Sequence, residues 1–182
     1  MKITTAQMLK ILYVFAWIIF VGLCIEAGGF IFNAVYTVTV NPSGAGHFWE
    51  KIDLSGLYSY DVGHYLVQTF FMTLVGLMKA LLFYLIIKLL HDKKLNMENP
   101  FNKEVGSFIF NVSYLSLFIG GFSHWGAEYA QWFVSKDIAM PDAQFLGLGG
   151  ADVWLFMGVV LLIIAQIFKR GIELQEENEL TV

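Results

Sequence analysis

Four long apolar runs separated by short polar connections dominate this chain, near Met8–Val35, Tyr65–Leu90, Gly106–Phe133 and Val153–Phe168. A helix crosses the roughly 30 Å hydrocarbon slab with about 20 residues. In lipid, only helices and closed barrels satisfy every backbone polar group. The expected fold is therefore all-α, an integral membrane four-helix bundle with spans near 8–35, 65–90, 106–133 and 153–168. Hydrophobic residues make up 57% of the chain and charged ones 14%, against about 45–50% and about 25% in soluble domains. The 182 residues thus form one domain, closed by a short acidic tail at 171–182.

The basic residues orient the spans. With alternating crossings, Lys2, Lys10, Lys88, Lys93, Lys94, Lys103, Lys169 and Arg170 fall on one side. Lys51 and Lys136 fall on the other, and Lys79 lies within a span. Positive charge in short connections marks the cytoplasmic face. Both termini are therefore expected inside, in the cytoplasmic (inner) membrane of a bacterium. Trp49, Trp125, Trp132 and Trp154 then gather at the outer interface, where amphipathic rings prefer to sit.

Several classes drop out. One arginine, no basic stripe and an acidic tail leave no phosphate-tracking surface, so direct nucleic-acid binding is not expected. The single cysteine, Cys24, cannot form an internal disulfide or run disulfide exchange. The first run extends past Cys24 without a small-residue cleavage site, so it reads as a span rather than a signal peptide. Two histidines at one depth, as a heme would need, cannot be assembled, and no cofactor is expected.

Thr4 or Thr5 should cap the first helix, and Asp61 or Ser59 the second. Asn41-Pro42-Ser43-Gly44 marks a turn, Phe48–Ile52 is expected along the surface, and Asn99-Pro100-Phe101 ends the inner connection before Lys103. Leu146-Gly147-Leu148-Gly149-Gly150 is too glycine-rich to sustain a helix. Gly22, Gly28 and Gly29 would admit a neighbouring helix, so a homo-oligomer is an expectation.

Lys79 is the first candidate site residue. An ammonium near mid-span costs on the order of 2.5–3.5 kcal/mol and normally finds a partner inside the bundle. Ser113, Ser116 and Gln166 are the polar side chains expected near its depth; Glu26 and Glu128 are expected farther out. A proton or ion step is the functional reading, and a structural hydrogen bond or snorkelling the bland one. A second candidate is an outer polar or cation-binding cluster of Glu26, His64, His124 and Glu128, with His124 and Glu128 one helical turn apart. No tight ligand motif accompanies them, so an ordinary polar interface layer is the competing reading and a metal is left open. The third candidate is the tail. Glu173, Leu174, Glu176, Glu177, Glu179 and Leu180 combine charge with apolar residues, as in a docking peptide or a solvated helix end.

The string Arg170-Gly171-Ile172-Glu173-Leu174-Gln175-Glu176-Glu177-Asn178-Glu179-Leu180-Thr181-Val182 resembles the closing signature of a family of small bacterial four-span membrane proteins of unknown function, DUF2975. Asn99-Pro100-Phe101 and Ile52-Asp53-Leu54 fit the same resemblance. It implies no catalytic residues. It does imply genomic association, since members of the family it resembles are often encoded beside a small helix-turn-helix regulator of the Cro/C1 type. The leading expectation is accordingly a non-enzymatic binding or regulatory partner of that regulator, engaged through the inner connection and tail. The alternative is a small transporter or cation-responsive sensor built on Lys79 and the outer acidic layer. An enzyme is not expected, since no catalytic constellation can be assembled at one depth.

Overall fold

The computed structural model describes residues 4–50, 52–92 and 102–179, without the side chains of residues 6, 178 and 179. Lys2, Lys51, Lys93, Lys94, Asn99-Pro100-Phe101, the Glu179 side chain and Leu180 lie outside the described residues. Four helices are long and apolar enough to cross a membrane: α1 (Thr5–Thr39), α3 (Val62–His91), α4 (Lys103–Val134) and α5 (Ala151–Glu179). A short α2 (Ser55–Tyr60) and a 3-10 turn (Pro42–His47) lie between α1 and α3. The chain is a multi-pass membrane protein.

Side chains supply the helix starts. Thr4 and Gln7 form a reciprocal capping box at α1. The Asp61 carboxylate accepts the His64 N–H at 3.0 Å, and Asn102 Oδ1 accepts the Val105 N–H at 2.8 Å. α4 ends in a Schellman turn: Ile138 N–H donates to the Phe133 carbonyl and Asp137 N–H to that of Val134. Asp137 holds the left-handed position there, at φ 62°.

α1 packs on α3, α3 on α4, and α4 on α5. The inner pair is the better covered. In the most apolar windows, 33% of α3 and of α4 is buried, against 6% of α1 and 11% of α5. The exposed flanks of α1 and α5 carry Ile18, Ile25, Phe32, Phe156, Ile163 and Ile167, apolar surface that suits lipid and not water.

Glycines fix the α4–α5 register. A Cβ on Gly120 would meet Leu155, one on Gly158 would meet Leu117, and one on Gly106 would meet Ile172. The α5 helix therefore begins opposite about His124. α4 continues ten residues further to Val134, about 15 Å at roughly 1.5 Å per residue. Tyr13 bonded to His91 and Lys103 paired with Glu176 place residue 5 and residue 179 at the same end of the bundle, the terminal end.

The expected tail is instead continuous helix through Glu179. Ile172 packs over Gly106, Lys103 reaches Glu176 at 2.7 Å, and Arg170 reaches Glu173 at 3.1 Å and Glu177 at 4.0 Å. Glu, Leu and Gln are good helix formers, and these contacts give the last turns something to hold.

At the opposite, loop end, the first connection folds into a cap. Phe48, Ile52, Leu54 and Leu57 are buried with Phe30, Tyr65 and Phe133. Phe48 and Ile52 therefore do not lie along a surface. Their chain turns back at Glu50, φ 44°, with Phe48 N–H donating to the Ile52 carbonyl. Asp53 starts α2 by accepting both the N–H and the hydroxyl of Ser55, at 2.8 and 2.6 Å. These bonds hold its carboxyl below the usual carboxylate range.

Candidate functional site

The second connection at the loop end is an ordered turn. Phe145 N–H donates to the Asp142 carbonyl, Gly147 N–H to that of Gln144, and Leu148 N–H to that of Ala143. This is one helical turn closed by a Schellman motif with Gly147 at its left-handed position, φ 71°. Leu146 and Leu148 are 0% and 1% exposed, so the turn is wedged into the bundle. Leu148 lies against Gly126 and Phe71, while Gly147 faces Glu26 and Phe30. The segment thus touches α1, α3 and α4 at once.

The wedge leaves the Gly147 carbonyl pointing inward, and Lys79 meets it. Its Nζ donates to that carbonyl at 2.7 Å and lies 5.9 Å from the Trp154 ring centroid, within cation–π reach. The α3 chain runs toward the terminal end, so the Lys79 side chain tilts back toward the loop end, as helical Cα–Cβ bonds do. Trp154, expected in the interface belt, thus also stands beside the Lys79 ammonium.

Glu26 joins the same spot. Its Oε1 lies 3.5 Å from the point where a Gly147 side chain would begin. It was expected near the interface, too far out to pair directly with Lys79, and no hydrogen bond or ion pair joins the two. Two features bring it near the turn. α1 runs four residues beyond Val35, leaving Glu26 well inside the helix, and Ala27 packs directly on Gly76, one turn from Lys79. Glu26 makes no hydrogen bond or ion pair to another described residue. It lines a groove of about 570 Å³ whose other walls include Gly22, Ile25, Trp49, Glu50, Gln144 and Phe145.

The remaining expected residues lie elsewhere. Ser113 and Ser116 are buried but bond back to the Phe110 and Val112 carbonyls of their own helix, each at 2.8 Å. Gln166 is exposed. None of the three is Lys79's partner. The outer cluster does not assemble either. His64 Nδ1 is 2.6 Å from the Tyr129 hydroxyl, inside a ring of Tyr60, Tyr129, Trp132 and Phe133. His124 and Glu128 are exposed. Among the described residues, no three His, Cys, Asp or Glu side chains converge as a metal site would require. In the last turns Leu174 is 45% exposed, while Glu173, Glu176 and Glu177 face basic side chains of the same protein.

Of the first-span glycines, Gly29 receives the Trp49 ring, and Gly22 and Gly28 have nothing within 4 Å. Gly147 itself was not among the expected site residues. The readable signal was two leucines alternating with glycines: each leucine needs burial that a solvated linker does not supply.

No curated protein and no solved structure matches the chain. The model of a family described as a protein of unknown function, DUF2975, matches residues 11–182. With nearly its whole length matched, this four-helix membrane protein belongs to the DUF2975 family.

Proposed function

We propose that this protein is a non-enzymatic membrane sensor whose second connection is a plug latched by Lys79. The hydrogen bond from the Lys79 ammonium to the Gly147 carbonyl carries the reading. An intramembrane charge is costly, yet here it holds one backbone oxygen of a wedged turn. A turn held by one such bond has a latched and a released arrangement, and a switch needs such a pair. An amine, a carbonyl and a lone carboxylate suit holding and releasing rather than bond chemistry.

The terminal end is assigned to the cytosol of a bacterial inner-membrane protein on the strength of its lysines, with Lys10, Lys88, Lys103, Lys169 and Arg170 there against Lys136 at the loop end. Transcript profiles of cells carrying the deletion, wild type or Lys79→Met test the sensor. A latch predicts a profile for Lys79→Met that differs from both others. A profile identical to wild type would sink it. The transport version predicts that Lys79→Met changes flux in reconstituted vesicles.

A second reading keeps one observation in support. Leu174 is exposed on the last turns of α5, beside carboxylates, as a helical face for a cytoplasmic helix-turn-helix regulator. Co-purification of such a regulator with wild type but not with Leu174→Asp would support it. Equal recovery would remove that face from the account.

A further inference from the structure

We infer that the seat of the plug is sprung. Two buried polar side chains beside it, Gln68 and Ser123, lack partners while the plug is in place and gain them when it lifts. This deepens the sensor reading and rests on it for what the movement signals, not for the movement. Both side chains are 0% exposed, and neither the Gln68 amide nor the Ser123 hydroxyl meets a hydrogen-bond partner among the described residues. Other buried hydroxyls of the same two helices are satisfied. Thr69 bonds back to the Leu66 carbonyl, and Ser113 and Ser116 to those of Phe110 and Val112.

Position ties the pair to the plug. Tyr65, Gln68, Met72 and Val75 form one buried stripe of α3, and Ser116, Ile119, Ser123, Gly126 and Ala130 one of α4, both at three- and four-residue spacing. Phe71 and Gly126 stand level, since a Cβ on Gly126 would meet both Phe71 and Leu148. α3 runs toward the terminal end, so Gln68 lies about one turn nearer the loop end than that level. α4 runs the other way, so Ser123 lies about one turn nearer the terminal end. The two polar groups thus bracket the depth at which Leu148 is seated, roughly 4.5 Å to either side.

An amide or hydroxyl shut away unpaired disfavours the arrangement that shuts it away. Lifting the plug toward the loop end opens its seat to the water there, which supplies both groups with partners. The seat therefore pushes against the plug, and the Lys79 bond holds it down. Opposed terms of similar size leave the two arrangements close in free energy, as a switch requires.

The test is amide exchange of the full chain in nanodiscs, read at Gly147 and Leu148. Ser123→Ala and Gln68→Met remove the unmet groups with little change of volume. Each is expected to slow exchange there about 5- to 150-fold, the factor that one unpaired buried polar group implies. Ser116→Ala loses a hydroxyl that is already bonded, so it is the control and is not expected to slow exchange. Slowing in Ser123→Ala or in Gln68→Met, with none in Ser116→Ala, supports the sprung seat. Unchanged or faster exchange in both, as follows if water bound in the seat already serves them, overturns it; so does equal slowing in Ser116→Ala. Slowing in these variants beside unchanged exchange in Lys79→Met keeps the sprung seat and removes the latch. The opposite pair of results keeps the latch and removes the spring.

Discussion

Replacing Lys79 with Met separates two quantities that usually move together. The substitution removes an ammonium whose presence within the span costs on the order of 2.5–3.5 kcal/mol. It also removes a hydrogen bond from a charged donor, typically about 1.5–3 kcal/mol, and leaves the Gly147 carbonyl with one partner fewer. The two terms nearly cancel for the whole bundle, so global stability in detergent should change little. They do not cancel for the plug, which loses its latch and gains nothing. An opening free energy lower by about 1.5–3 kcal/mol raises the open population roughly 10- to 150-fold. Hydrogen exchange reads this directly. The Gly147 and Leu148 amides are held by the carbonyls of Gln144 and Ala143, so their exchange should accelerate by that factor in Lys79→Met, while amides in α4 keep their wild-type rates. Lys79→Arg, which can still donate, should retain most of the protection. Unchanged exchange at 147 and 148 in the Met variant, or acceleration spread evenly over the helices, would refute the latch.

Other substitutions probe the frame around it. A Cβ on Gly120 would lie 2.9 Å from the Leu155 backbone nitrogen, so Gly120→Ala should cost about 1–3 kcal/mol in detergent unfolding. Gly121→Ala meets nothing within 4 Å and should be neutral or stabilising by up to about 1 kcal/mol. Asp137 at φ 62° occupies a glycine conformation, so Asp137→Gly should raise stability by about 1 kcal/mol in the same assay. Asp53, with its carboxyl held low by Ser55, contributes above its ordinary value of 3.8 and loses that contribution as pH falls through the depressed one. Exchange of the Ser55 amide should therefore be pH-normal between 5 and 8 and accelerate only in strong acid; a break near neutrality would contradict the assignment.

The four helices were legible because a period-free apolar run of span length has few other solutions in lipid. Thr4 and Asp61 were legible for a similar reason, since an oxygen-bearing side chain at a helix start has one obvious duty. The last turn of α1, beyond Val35, was not legible. Tyr36–Thr39 is rich in β-branched residues with weak helix propensity, and only packing against the first connection sustains it. The end of α5 was read as a tail because one of its pairs, Lys103–Glu176, joins positions more than seventy residues apart. The plug was hidden for the opposite reason. Its glycines resemble a linker, while the φ of Gly147 and the burial of Leu146 and Leu148 exist only once the turn meets three helices. A polar residue's depth and partner are tertiary quantities, and local pattern carries neither.

The late start of α5 decides how movement can travel through the molecule. The folded first connection rests on α1, α3 and α4, all of which rise past the point where α5 begins. A tilt or twist imposed on that crown has no α5 segment to push against. It reaches the last helix chiefly along the glycine-lined α4 seam or through the few residues from Leu146 to Gly150. Stiffening either route should therefore isolate the C-terminal helix mechanically, whatever the stimulus.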